Sequence, residues 1–114
     1  MTLLLHNGLL TDERGETADG WVLFDGDAIA AVGSGDVPDA AERIDLGGAR
    51  LTPGFVDIHG HGGGGHAYDD GGEELAAAIA THRAHGVTRT VVSLVANPLA
   101  ALRSDLAEVA ELAA

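Results

Sequence analysis

The sequence contains no cysteine and no lysine. Without thiols there is no disulfide framework and no thiolate metal site, and the absence fits a reducing compartment. The basic side chains are six arginines against 18 acids, giving a formal net charge of -12. A surface this acidic repels phosphate backbones and anionic lipid head groups. It argues against nucleic-acid and membrane partners and mainly favours solubility. No stretch approaches the roughly 18 apolar residues of a membrane span. The opening MTLLLHNGLLTDERGE has no basic leader, and its apolar run is broken at His6, so it does not read as a signal peptide. A cytoplasmic protein is the default expectation.

What is present is a chain of 114 residues, 46% hydrophobic. That is globular in character, but long enough only for a marginal core. The pattern changes near Pro53. Before it, short β-like runs alternate with turns. TLLLH (2–6) and GLL (8–10) read as strands around Asn7-Gly8. WVLFD (21–25) and AIAAVG (28–33) flank the two-residue turn Gly26-Asp27, and ERIDL (42–46) and ARLT (49–52) flank Gly47-Gly48. Both pairs read as hairpins.

After Pro53, GFVDIH (54–59) reads as a short strand, followed by a glycine-rich loop to about residue 72. EELAAAIATHRAH (73–85) reads as a helix with acids in its first turn and Gly86 as its stop. Asp69 and Asp70, followed by Gly71-Gly72, read as turn and N-cap chemistry ahead of it. TRTVVSLV (88–95) is β-branched and reads as a buried strand. Asn97-Pro98 reads as a cap before a first-turn proline, and Leu99, Leu102, Leu106, Val109 and Ala113 form a helical stripe. The order β-loop-α-β-α implies a parallel sheet with helices packed on it. Two parallel strands alone leave open edges and an uncovered helix face.

The chemistry concentrates in LTPGFVDIHGHGGGGHAY (51–68). Alternation along a strand puts His59 and His61 on one face. Two neutral imidazoles in that register can ligate one divalent ion, at the C-terminal end of a parallel strand where α/β active sites form. A lone His-x-His is weak evidence by itself. Its place after an apolar strand and before a glycine loop strengthens it. Gly62, Gly63, Gly64 and Gly65 let the backbone turn sharply and leave space for a ligand, with N–H groups free to approach a substrate. Asp57 shares the parity of the pair. It reads either as a carboxylate orienting an imidazole or as a buried carboxylate satisfied by backbone. His66 is a candidate at the lip of the site, with solvent exposure as the alternative. One of His82 and His85 can be a ligand, but favourable charge at a helix C-terminus explains them more simply. His6 reads as a strand-end residue. Ser93 has no base near it in sequence and does not read as a nucleophile.

The segment LTPGFVDIHGHGGGG resembles the amidohydrolase superfamily, in which Pro-Gly-Phe-(Ile/Val)-Asp-x-His-x-His marks the first strand of a metal-dependent (β/α)8 barrel. The hairpins DGDAIAAVG and IDLGGARLTPG resemble the small β-domain that flanks that barrel. Within the superfamily, HGHGGGGHAYDDG and GVTRTVVSLVANP are similar to the N-acetylglucosamine-6-phosphate deacetylase family. The resemblance implies an α/β chain: a small N-terminal β-sandwich-like domain at 1–52, then the first two βα units of an incomplete TIM-like barrel at 53–114. It implies His59 and His61 as metal ligands, with one or two divalent ions, zinc first among them, in the complete enzyme. It implies deacetylation of an amino-sugar phosphate, a small-molecule partner, and a homodimer when complete. Some members of the family lack the pair and use a single metal held elsewhere.

The family's further ligands follow the third, fifth and sixth barrel strands, and its acid/base follows the eighth. No catalytic residue is therefore expected within this chain, and a barrel takes roughly 250 residues. The expectation is the N-terminal portion of such a deacetylase, inactive alone. The alternatives are another amidohydrolase, acting on cyclic amides or dipeptides, and a non-catalytic module stabilised by a partner.

Overall fold

The computed structural model describes all 114 residues, Met1–Ala114. They divide into two compact units, Met1–Pro53 and Gly54–Ala114.

The first unit is a mixed five-stranded sheet of β-sandwich-like type. β1 (Thr2–Asp12), β2 (Gly15–Asp25) and β3 (Ala28–Ser34) form an antiparallel meander in the order β3-β2-β1. β4 (Glu42–Asp45) and β5 (Arg50–Leu51) both pair with the free edge of β1, and both run parallel to it. The hairpin expected at Gly47-Gly48 is therefore corrected. The two glycines, at φ 58° and 81°, make a jog between two short strands that share one neighbour. A matching irregularity sits opposite. Asn7, at φ 56°, bulges β1 without ending it, and Gly48 N–H donates to Asn7 O at 2.7 Å. The 2–6 and 8–10 runs are thus one strand. Asp45 Oδ1 accepts from Asn7 Nδ2 at 2.7 Å and from Gly47 N–H at 2.8 Å, which staples bulge to jog. β2 starts six residues earlier than its apolar run suggests, because the Asp12–Arg14 pair closes a tight turn and zips polar residues onto β1. Leu4 and Val22 are the buried apolar residues of this sheet.

The second unit is β-loop-α-β-α, two successive βα units of barrel type. β6 (Phe55–Gly60) and β9 (Val87–Val92) are parallel neighbours, with Asp57 opposite Thr90 and Gly60 opposite Val92. Between them the glycine loop forms a miniature hairpin, β7 (Gly62–Gly63) and β8 (His66–Ala67), before α1 (Gly72–Ala84). Glu73 and Glu74 occupy the first turn of α1, and Gly86 N–H closes its end on Arg83 O. The cap at its start is Gly71, with no side-chain bond, so Asp69 and Asp70 are not the helix cap. Asp69 instead accepts the N–H of Val95 at 3.1 Å. α2 (Leu99–Ala113) begins one residue later than expected, with Pro98 at the cap.

Tyr68, Leu75 and Ala78 form the buried centre of this unit, with Ile79, Val92, Leu94 and Val109 packed on it. Of the α2 stripe, Val109 reaches this cluster, while Leu99 and Leu106 stand in solvent. Phe55, Val56, Ile58 and Val91 are also exposed, so both β6 and β9 present uncovered apolar side chains. An apolar groove of about 450 Å³ runs between α1, β9 and α2. No helix is long and apolar enough to cross a membrane.

Candidate functional site

Parallel pairing sets the C-terminal ends of β6 and β9 side by side. The polar residues at those ends, His59 and His61 from one and Ser93 from the other, therefore meet. Ser93 N–H donates to Gly60 O at 3.0 Å, extending the ladder by one bond beyond β9. That bond brings Ser93 Oγ to 3.2 Å from Nδ1 of His59. The rings of His59 and His61 stand edge to face, with centroids 4.9 Å apart and planes at 83°. Both side chains are exposed. With Nδ1 of His59 facing a hydroxyl, its Nε2 is the ring nitrogen left free.

Asp57 accepts the backbone N–H of His59 at 3.1 Å. Asp57 is only partly buried, so the expectation of a buried carboxylate is corrected, while its bond to backbone is present. It fixes the main chain that carries His59, and the contact with the ring itself comes from Ser93. Asp57 also lies near the phenol of Tyr68. Burial first, and then the charge of Asp57, push that phenol above its ordinary value near 10. The Tyr68 hydroxyl is buried without a hydrogen-bond partner.

The glycines are short of room rather than surrounded by it. A Cβ on Gly62 would lie 2.1 Å from His66 O, one on Gly63 2.6 Å from His82 Nε2, and one on Gly64 2.5 Å from Thr81 Oγ1. Only a bare backbone lies this close to α1 and β8. Gly65 alone has open space around it. The loop is tied at three points. Tyr68 N–H donates to His61 O at 3.0 Å, His82 Nε2 lies 3.0 Å from Gly62 O, and His66 Nδ1 lies 2.7 Å from Glu74. His66 is thus half-buried against α1 and not simply solvent-exposed. His82 faces the loop, while His85 turns back to Thr81 O at 2.8 Å on its own helix. Sequence spacing did not single out Ser93 or His82 for these contacts. The only signal for Ser93 is its position one step past β9, and the partner strand register is needed to use it.

Beside His61 lies a cavity of about 540 Å³, bordered by Asp69, Asp70, Asn97 and Asp105. No group of three or more His, Cys, Asp or Glu side chains gathers tightly enough to hold a metal ion. The imidazole pair therefore offers two nitrogen donors at most, short of the roughly three protein ligands a catalytic zinc takes.

Comparison with known proteins agrees with this layout. No protein-family model matches the sequence. The chain superposes on an N-acetyl-D-glucosamine-6-phosphate deacetylase mutant from Mycobacterium smegmatis with a TM-score of 0.81 and 39% identity, over 98% of this chain and 29% of that one. That enzyme was solved in complex with N-acetyl-D-glucosamine-6-phosphate. Among curated proteins, a dihydroorotase from Streptococcus pyogenes is 36% identical over 113 residues, 94% of this chain and 25% of the relative. A dihydroorotase from Bacillus licheniformis is 38% identical over 61 residues, 54% of this chain and 14% of the relative. The chain thus spans between 14% and 29% of the length of these three proteins.

Proposed function

Starting from a chain that belongs to the amidohydrolase superfamily, we propose that this segment supplies two imidazole ligands, His59 and His61, to the metal centre of a hydrolase cleaving a carbon–nitrogen bond. The observation that carries the proposal is the edge-to-face pair at the end of β6, 4.9 Å between centroids, beside a parallel neighbour strand. The substrate proposed is N-acetylglucosamine 6-phosphate, giving glucosamine 6-phosphate and acetate. It rests on the 39% identity and 0.81 TM-score to a deacetylase that binds that molecule.

A divalent ion at such a centre supplies Lewis-acid polarisation of the scissile carbonyl and activation of the attacking water. The residues of this chain bind and orient. His59 presents Nε2 because Ser93 occupies the side of Nδ1. The Ser93 hydroxyl can accept from an Nδ1–H, which leaves Nε2 free to ligate, and an outside partner of this kind orients the ring. Asp57 fixes the backbone of His59, and Tyr68 fixes that of His61. The proton-transferring group, the remaining ligands and the phosphate contacts are assigned to other parts of the complete enzyme. Zinc is the metal proposed, and a cytoplasmic homodimer is the proposed form.

A cyclic-amide hydrolase is the second reading. It is favoured by the dihydroorotase of Streptococcus pyogenes, which aligns along 94% of the chain. A substrate panel on the complete, zinc-loaded enzyme separates the two. Acetate release from N-acetylglucosamine 6-phosphate, with no turnover of dihydroorotate, is the expected result. The reverse pattern removes the deacetylase reading.

A further inference from the structure

We infer that His82 is a positioning residue for the imidazole pair: by holding the Gly62 carbonyl against α1, it sets where the His61 ring stands relative to His59. The inference deepens the metal-site proposal and rests on it.

Four successive glycines carry the largest backbone entropy a chain can have, and they have no side chains with which to anchor themselves. A hairpin of two residues per strand has no stability of its own. The loop leaving His61 therefore takes its shape from whatever grips it. His82 is the side-chain grip nearest to the ligand, because its Nε2 meets the carbonyl of the very next residue at 3.0 Å. A carbonyl only accepts, so the His82 ring must carry hydrogen on Nε2. The ring is half-buried and leans on Tyr68, at 6.5 Å between centroids. Tyr68 in turn donates its N–H to His61 O. His61 is thus held on one side through Tyr68 and on the other through Gly62; His82 bonds the second support, and its ring stands near that of the first. Gly63 completes the fit, since any Cβ there would lie 2.6 Å from His82 Nε2. The position of His82 in the last turn of α1 does not by itself require any of this. A histidine serving the helix end alone would turn its ring to the helix carbonyls, as His85 does.

The test uses Zn²⁺ as the probe and ring NMR of the histidines as the readout. His82→Gln keeps an N–H donor at the reach of Nε2, whereas His82→Phe keeps a flat ring and loses the donor. In the metal-free protein, His82→Phe should shift the His61 ring signals and His82→Gln should leave them in place. On Zn²⁺ titration, the wild type and His82→Gln should perturb both His59 and His61. His82→Phe should bind about tenfold or more weakly, the range for losing a supporting contact behind a ligand. Rescue by glutamine is what a purely space-filling role would not produce. If His82→Phe fails to fold, Gly63→Ala opens the same contact from the loop side and should give the same loss. Unchanged His61 signals and unchanged Zn²⁺ binding in His82→Phe or Gly63→Ala would overturn the inference. If the wild type binds no Zn²⁺ at the pair, the metal reading fails. The metal-free shift of His61 then decides alone whether His82 positions it.

Discussion

Ser93 Oγ lies 3.2 Å from Nδ1 of His59, although 34 residues separate them in sequence. The contact exists because β6 and β9 are parallel and a register shift between Asp57 and Gly60 still leaves their C-terminal ends side by side. Substituting Ser93 with alanine should therefore lower the Zn²⁺ affinity of the imidazole pair by about tenfold. Stability should change by no more than about 1 kcal/mol, since the bond is exposed. Calorimetric Zn²⁺ titration alongside urea unfolding checks both, and unchanged affinity would remove Ser93 from the site.

Tyr68 is 2% exposed and its hydroxyl has no partner. Tyr68→Phe should be neutral or stabilising by up to about 1 kcal/mol, because an unsatisfied buried group is deleted without a cavity.

The same residue sets an alkaline limit. Burial and then Asp57 raise the folded-state phenol above 10. The folded state therefore keeps its proton where the unfolded chain has begun to lose it. This contribution to stability is full below pH 10 and is lost as pH rises through the folded value. Urea unfolding at pH 8 and near pH 11 should show a decline in the wild type that is smaller in Tyr68→Phe.

Gly33 faces Trp21 across the β2–β3 pair, and a Cβ on it would lie 2.3 Å from the indole Cζ2. Gly33→Ala should cost about 1–3 kcal/mol by overpacking. The protein has one tryptophan, so its fluorescence reports the displacement directly. An unshifted emission maximum with unchanged stability would mean that the indole moves away freely.

Asp45 is held below the usual carboxylate range, chiefly by Gly47 N–H and then by the Asn7 amide. Its contribution is present above the ordinary value near 4 and disappears as pH falls through the lowered one. Asp45→Asn should weaken the first unit at neutral pH and flatten its response to acid. A pH titration of the unfolding midpoint between pH 6 and pH 2 reads both effects.

The second unit was legible because its signals are periodic or compositional. The acids opening α1 and the stop at Gly86 each have a single physical reading, whereas the run at 88–95 was expected as a buried strand and is a strand only to Val92, with Val91 exposed. The histidine pair stands out from alternation and a strand end, although β6 stops at Gly60, one residue short of His61. Gly47-Gly48 was misread because a glycine turn looks the same whether it reverses a chain or only displaces it. What decides is a third strand, β1, which takes both flanking segments as parallel neighbours. The start of β2 was missed because Glu16 to Asp19 are exposed and polar, held by pairing rather than burial. Asp69 looked like a cap because caps are local, while its actual partner, Val95, lies 26 residues on. His82 was hidden for the opposite reason. Its place near a helix end offered an adequate local explanation, and the contact it makes is with a segment that has no side chains to announce it.

β1 also determines the order in which the first unit can assemble. Leu5 meets Val22 on one edge and Ile44 on the other. The first partner is reached by zipping a hairpin, and the second only after a much longer stretch of chain has been brought back. Local pairings form before distant ones because closing a long loop costs entropy in advance of any contact. The meander can therefore form early, with β4 and β5 joining last. The pairing of β1 with the strand that feeds into Pro53 then carries the largest loop-closure cost in the unit.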